Sequence, residues 1–356
     1  MKCRVCGFES EEISRSVGVC VECLRREETS ILHARRARER WRRELDLPLP
    51  SASGGRTCAL CSNECEIEEG RAGFCGVVKN EGGRLTTITG SFEKALIHWY
   101  YDPHPTNCVA FPVCPERDRI GYRNLAVFFS GCNLDCLFCQ NVDHKYMIAG
   151  SRIVEGDVVG CEELVQLAMD QRTTCVCYFG GDPTPWSVYA LRVSREIAKR
   201  AQKRICWETN GLENPKVMER MARLSLESGG IVKIDWKAYT PSVYEALTGA
   251  DGKKAVSRLK ENVSLLVRAD TRKTPPLLVV SVLVVPHYVD EVEVGGIAEY
   301  LAGLDPEIPL VLLAFAPQHL MHDVPTTSKK QMEAVRRRAL EAGLKNVFVG
   351  NVWLLR

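Results

Sequence analysis

Cys132, Cys136 and Cys139 follow directly on the apolar stretch Leu125 to Phe129, in one short loop with C-x3-C-x2-C spacing. Three thiolates on a single loop can hold three irons of a [4Fe-4S] cluster. With no fourth cysteine in the loop, one iron stays open to a ligand that is not protein. An open iron is a site for chemistry. Taken alone, the loop also admits an iron-sulfur or zinc centre whose fourth ligand comes from elsewhere in the chain.

The residues around this loop indicate what carries it. From Leu125 onward, apolar runs typical of buried parallel strands alternate with helical patterns. Strands are expected near Leu125 to Phe129, Cys175 to Phe179, Arg204 to Glu208, Ile231 to Trp236, Leu277 to Val284, Leu310 to Ala314 and Asn346 to Val349. Helical stretches, among them Glu162 to Gln171, Val188 to Gln202, Pro215 to Glu227 and Lys329 to Ala342, lie between them. Such alternation implies an α/β fold with a parallel sheet curved into a partial barrel, helices outside and polar loops at the strand C-termini forming the site.

The chain has 356 residues, 45% of them apolar, enough for one large domain with small appendages. A formal net charge of +2 leaves no chain-wide electrostatic footprint for nucleic acid. The N-terminus lacks a secretory apolar region, and Leu277 to Val285 is far shorter than the ~18 residues a membrane helix needs. The expectation is a soluble, cytoplasmic protein without membrane contact. In such a setting, 17 cysteines argue for metal ligation over disulfides.

Two further cysteine sets precede the barrel. Cys3, Cys6, Cys20 and Cys23 form C-x2-C-x13-C-x2-C, which suits one zinc ion held tetrahedrally in a zinc-ribbon-like module over residues 1–26. So small a segment needs the metal for its folding energy. Glu27 to Leu47, rich in Arg, Glu and Ala, reads as an exposed connecting helix, and Pro48 to Gly55 as a flexible linker. The arginines invite an RNA-binding reading, but Glu39, Glu44 and Asp46 partly offset them.

Cys58, Cys61, Cys65 and Cys75 then make C-x2-C-x3-C-x9-C within a module and approach segment at 56–124. The ligand set alone favours zinc, with an auxiliary iron-sulfur cluster as the alternative. The barrel itself is expected over 125–356.

After the second barrel strand comes Gly180-Gly181-Asp182-Pro183. Its glycines let backbone approach a ligand, and its proline stiffens the turn and leaves carbonyls free to accept from an ammonium. A plain strand-to-helix turn would explain the glycines equally well. The third and fourth strands end in Glu208-Thr209-Asn210-Gly211 and Asp235-Trp236-Lys237. An ion pair at a barrel end would account for Asp235 and Lys237 by themselves.

The cysteine spacing, with Phe138 just before the last cysteine, resembles the signature of the radical S-adenosylmethionine (SAM) superfamily. Gly180 to Pro183 resembles the Gly-Gly-Glu-Pro segment that binds the SAM amino group there, with Asp182 in place of Glu. The strand ends resemble the Asp-Thr-Asn-Gly and Asp-Leu-Lys segments of glycyl-radical-enzyme activases typified by the pyruvate formate-lyase activating enzyme. Further stretches, Val243 to Gly249, Leu283 to Tyr288 and Ala342 to Val352, resemble the radical SAM member of the AmmeMemoRadiSam system, where the Cys58 to Cys75 tetrad also occurs.

These likenesses imply a partial (β/α)6-type barrel, a [4Fe-4S] cluster on Cys132, Cys136 and Cys139, and SAM held among Phe138, Gly180, Gly181, Asp182, Pro183, Thr209, Asn210, Asp235 and Lys237. They also imply hydrogen abstraction from a protein or peptide, a low-potential flavodoxin- or ferredoxin-like electron donor, and a monovalent-cation site at Glu208, Thr209 and Asp235, although Glu208 stands where the activase has Asp. RNA modification and a non-catalytic iron-sulfur and zinc scaffold are the competing expectations.

The remaining candidates are assigned plainer roles. Relatives often have a Phe-His-Pro-like segment where this chain reads Phe315-Ala316-Pro317, with His319 and His322 downstream; neither histidine is assigned to catalysis. Cys108 and Cys114 read as ordinary thiols, with lid thiols or auxiliary ligands as the alternative. Cys161, Cys175, Cys177 and Cys206 read as buried small hydrophobes.

Overall fold

The computed structural model describes residues 1–50, 54–106, 108–149, 157–272 and 274–356. Part of the linker expected at Pro48 to Gly55, residues 51–53, therefore lies outside the described residues. In chain order the helices are α1 (Val21–Arg26), α2 (Leu32–Glu44), α3 (Asp143–Ile148), α4 (Cys161–Ala168), α5 (Ser187–Arg200), α6 (Pro215–Ser228), α7 (Pro241–Thr248), α8 (Gly252–Ala269), α9 (Glu291–Leu304) and α10 (Lys329–Glu341).

Two short hairpins precede the main sheet: β1 (Arg56–Thr57) with β2 (Glu66–Ile67), and β3 (Val78–Glu81) with β4 (Arg84–Thr87). The main sheet contains β5 (Lys94–Pro103), β6 (Arg123–Phe129), β7 (Val158–Gly160), β8 (Thr173–Gly180), β9 (Arg204–Thr209), β10 (Val232–Asp235), β11 (Leu278–Val284), β12 (Leu310–Ala314) and β13 (Val347–Gly350).

The sheet runs β13-β12-β11-β10-β9-β8-β6-β5-β7. From β6 to β13 every pairing is parallel, each strand one step outward from the last, as successive strand-helix crossovers require. Among the described residues its edge strands, β13 and β7, do not pair with each other, so the barrel is open there. The seven strands read from sequence all form. The sequence reading omitted two strands of this sheet: β7, paired with β5, and β5 itself, which runs antiparallel along the whole of β6 from Ile97 opposite Phe129 to Pro103 opposite Arg123.

Local chemistry sets the helix ends. Asn214 caps α6 by accepting from Lys216 N at 3.0 Å, Pro215 occupies the first turn, where a missing N–H costs nothing, and Gly229 closes the helix at φ +75°. On the helix side of the sheet, Tyr178 and Trp207, both fully buried, stack at 4.6 Å between β8 and β9.

The first cysteine module is not a separate appendage. Cys3, Ile13, Val17, Leu24 and Ala34 belong to the same continuous hydrophobic core as the barrel strands. Ser14 N donates to the Tyr288 hydroxyl at 3.0 Å, that hydroxyl donates to Val19 O at 3.1 Å, and Arg25 pairs with Asp290 at 2.6 Å and Glu293 at 2.9 Å.

The expected exposed helix at Glu27 to Leu47 needs correction. A 3-10 turn over Glu28–Ile31 precedes α2, and Ala34, Arg38, Trp41 and Arg42 form a buried stripe along it. These positions recur at helical spacing, so arginine occupies a face normally reserved for apolar residues.

Candidate active site

The loop after β6 begins at Gly131, whose φ of +69° lets the chain turn sharply while its N–H donates to His144 O at 3.1 Å. Backbone bonds then tie the loop to the barrel: Asp135 N donates to Thr248 O at 2.8 Å and Leu137 N to Leu247 O at 3.0 Å. Cys132 and Cys136 are buried and Cys139 is half-buried. Burial pushes the Cys136 thiol up to about 12 and drives Cys132 and Cys139 upward as well. Thiols so placed ionise only when a strong positive centre replaces their protons, which is what iron provides. The three sulfurs open on one cavity, so these residues fit a cluster with one face free.

That cavity, about 400 Å³, lies within the range of roughly 300–1,000 Å³ typical of small-molecule sites. Its walls come from consecutive strands toward their C-terminal ends: Gly180 on β8, Glu208 on β9, Asp235 on β10, Ser281 on β11, Leu313 on β12 and Gly350 on β13. That one cavity touches all six shows how far the sheet curves around it. Phe138, Gly181, Asp182, Thr209, Asn210 and Lys237 also line it; Pro183 stands behind, opening the turn Thr184–Trp186.

The polar groups divide into two networks. Asp182, 3% exposed, turns its carboxylate inward, where it accepts from Thr184 N at 2.9 Å, from Asn210 N at 2.8 Å and from the Thr184 and Thr209 hydroxyls. Thr209 also bonds Glu213. One hydroxyl hydrogen cannot serve both carboxylates, so a proton must be shared between them. Accordingly, burial and the adjacent Asp182 push Glu213 up to about 8, and burial raises Asp182 despite its hydrogen bonds.

The second network is Lys237 with Asp235. Although burial works against its charge, Asp235 and Cys136 hold the Lys237 ammonium above its ordinary range, 5.8 Å from the Phe138 ring centroid. A fixed cation thus faces the cysteine loop.

Deeper in the barrel, Lys233 is 1% exposed and sits 2.9 Å from Cys177 Sγ, 3.4 Å from Cys108 Sγ and 3.4 Å from Glu208. Cys177 therefore does more than fill apolar space. Glu208, expected beside a monovalent cation, has an ammonium as its neighbour. Cys108 also lines the cavity. His319 packs edge-on against Trp41 at 4.5 Å, and burial lowers it to about 4; neither it nor His322 borders the cavity.

The radical SAM superfamily profile matches residues 126–301, the span that contains the cysteine loop and the strand ends of β8 to β11. The chain carries a radical SAM domain. It is also 26% identical over 309 residues to an uncharacterized protein of Methanocaldococcus jannaschii, covering 83% of this chain and 81% of that one. A crystal structure of a domain of pyruvate-formate lyase-activating enzyme from Bacteroides vulgatus overlaps 50% of this chain and 99% of its own, at 17% identity and a TM-score of 0.40. A radical SAM domain implies a [4Fe-4S] cluster and SAM.

Behind the radical SAM loop lies a frame that sequence reasoning did not anticipate. Asp135, between two of its cysteines, accepts from Arg42 Nη1 at 3.0 Å and lies 3.6 Å from Lys145 Nζ, all three side chains being at most 3% exposed. Although burial opposes the charge, Lys145, Arg42 and Arg38 hold the Asp135 carboxyl below its usual range. Arg38 Nε donates to Asp135 O at 2.8 Å, and Arg42 Nη2 to Phe74 O at 2.6 Å, one residue before Cys75. The signal was available: an acid inside the cysteine loop, and arginines four apart on an otherwise apolar stripe.

The first tetrad meets the demands of a single ion. Cys3, Cys6, Cys20 and Cys23 present sulfurs all within 4.8 Å of one another, with Cys3 to Cys23 at 3.8 Å and Cys6 to Cys20 at 3.7 Å. Four thiolates about 2.3 Å from one tetrahedral zinc stand roughly 3.8 Å apart, so the set could bind such a metal without rearrangement. No helix among the described residues is long and apolar enough to cross a membrane.

Proposed function

We propose that this protein is a radical SAM enzyme that reductively cleaves SAM and abstracts hydrogen from a protein or peptide substrate, in the manner of an activase or peptide-modifying enzyme. The observation that carries the reading is the convergence of three cysteine sulfurs, the Gly180–Gly181 turn and the Lys237 ammonium on one cavity at the strand C-termini. The reduced cluster, when bound, supplies one electron to the SAM sulfonium, the source of the 5′-deoxyadenosyl radical. This chain's residues do the positioning. The glycines bring backbone carbonyls within reach of an ammonium, Lys237 offers a cation to a carboxylate, and the apolar wall of Leu283, Val311 and Leu313 excludes water from a reactive radical.

The peptide class is supported by the cavity mouth. Phe111, Val352 and Trp353 are exposed there, and Lys237 is the one Lys or Arg among the described lining residues, against Asp182, Glu208 and Asp235. A phosphate backbone would be repelled by that balance, whereas an uncharged peptide would not. The buried stripe of Arg38 and Arg42 likewise removes two of the arginines that suggested RNA. A zinc ion on the first tetrad and a low-potential flavodoxin- or ferredoxin-like donor complete the proposal.

The test is deuterium transfer. Reconstituted protein under dithionite should form 5′-deoxyadenosine from SAM, and deuterated peptide or protein candidates should pass their label into it. Label acquired from RNA instead, or no SAM cleavage at all, would overturn the reading.

A further inference from the structure

We propose that Cys58, Cys61, Cys65 and Cys75 hold a second [4Fe-4S] cluster, not a zinc ion, set against the back of the SAM pocket. The argument is one of spacing. A single tetrahedral ion draws its four sulfurs to roughly 3.8 Å from one another, whereas a cluster places four irons and four sulfides between them and keeps them well apart.

Both arrangements are present in this chain. Among the described residues, the Cys3 to Cys23 set is the group of three or more His, Cys, Asp and Glu ligands whose atoms all lie within 4.8 Å of one another. Cys132, Cys136 and Cys139, whose loop has the cluster signature, do not reach that spacing. Neither do Cys58, Cys61, Cys65 and Cys75. The second tetrad thus shares the open geometry of the cluster loop and not the closed geometry of the first tetrad.

Its surroundings suit a cluster. The four cysteines line one cavity whose remaining walls include Leu60, Ile67, Val78 and Pro185, an almost wholly apolar enclosure. Backbone amides reach the sulfurs, Phe74 N to Cys65 Sγ and Val77 N to Cys75 Sγ, each at 3.4 Å, as anionic thiolates require. The same cavity borders Asn133 and Thr184, residues of the two loops that bound the SAM pocket. Asn63 Nδ2 donates to Asn133 O at 2.7 Å, so a short bonded path runs from Cys61 through residue 63 to the neighbour of Cys132. The two centres share a wall, a placement suited to one-electron exchange between clusters.

The experiment is a metal count on the full chain, which needs no activity. Anaerobic reconstitution with iron and sulfide should yield about eight irons and about eight sulfides per chain, with one zinc. The triple variant C132A/C136A/C139A should keep about four irons with the Mössbauer signature of a [4Fe-4S] cluster. Iron lost entirely from that variant, with a second zinc in its place, would overturn the proposal. If the triple variant does not fold, the unmodified protein decides: about four irons and two zincs per chain would sink the inference.

Discussion

Arg42 and Asp135 form a buried ion pair at 3.0 Å that joins the N-terminal helix to the interior of the cluster loop. The guanidinium also lies 4.0 Å from the Phe74 ring centroid and donates to Pro48 O, so one side chain braces the loop, the start of the linker and the approach to Cys75. Breaking a buried pair costs about 3–5 kcal/mol where the remaining charge is left alone; here Lys145, 3.6 Å from Asp135, stays as a counter-charge, so removing Arg42 should cost less than that. Arg42→Ala should therefore unfold at clearly lower denaturant than the parent and lose cluster absorbance sooner on exposure to air. An unchanged denaturation midpoint would show that the pair does not brace the loop.

Cys136→Ala should abolish both the SAM-coordinated cluster and 5′-deoxyadenosine formation under dithionite, because the loop has no spare thiol for the exposed iron. Deoxyadenosine yield, set beside the electron paramagnetic resonance spectrum with and without SAM, checks it. Turnover surviving in this variant would remove the catalytic assignment.

Gly181→Val should disturb more than ligand binding. A Cβ at 181 runs into the Gly131 carbonyl oxygen, and a larger side chain would drive the cluster loop away from the turn after β8. Calorimetry should show loss of SAM affinity of at least an order of magnitude, accompanied by lower iron content. Full iron with full SAM affinity would contradict the close approach.

The carboxylate pair predicts a pH dependence of stability. Glu213 is raised from the ordinary carboxyl range to about 8, so between those values the folded state holds a proton that the unfolded state has released. Stability should fall as pH rises through that window, by at most about 1.4 kcal/mol per pH unit. Glu213→Gln keeps an acceptor for Thr209 without the charge, and its stability should fall less from pH 6 to pH 8. Parallel unfolding curves for the two proteins across that range would refute the shared proton.

Stripping metal from the first tetrad should cost the whole protein stability, since Cys3, Val17 and Leu24 pack into the barrel's own core. Cys6 is exposed, so a strong chelator can reach the site. We expect release of about one zinc, together with a lower melting temperature for the entire chain. Removal of residues 1–50 should be more severe, because Arg38 and Arg42 leave with the module. A truncated chain that melts like the parent would show that the module is separable.

Much of this protein was legible in its sequence because the governing signals are local. Apolar runs from Leu125 to Val349 marked every parallel strand of the barrel, and strand C-termini in such folds face one way, so Gly180, Asn210, Asp235 and Lys237 had to meet wherever the sheet curved. Cysteine spacing likewise marked out three candidate ligand sets. What the sequence could not express is long-range. Strand β5 pairs antiparallel with β6 across the Pro-rich approach segment, and nothing in Lys94 to Pro103 names that partner. Arg38 and Arg42 look like solvated charges until Asp135, about 95 residues away, supplies the counter-charge that makes their burial tolerable. Whether four cysteines close on one ion or stand apart around a larger centre is a matter of sulfur-to-sulfur distance. That distance depends on how the surrounding chain packs, so only the tertiary structure could distinguish the tetrad at Cys3 from the one at Cys58.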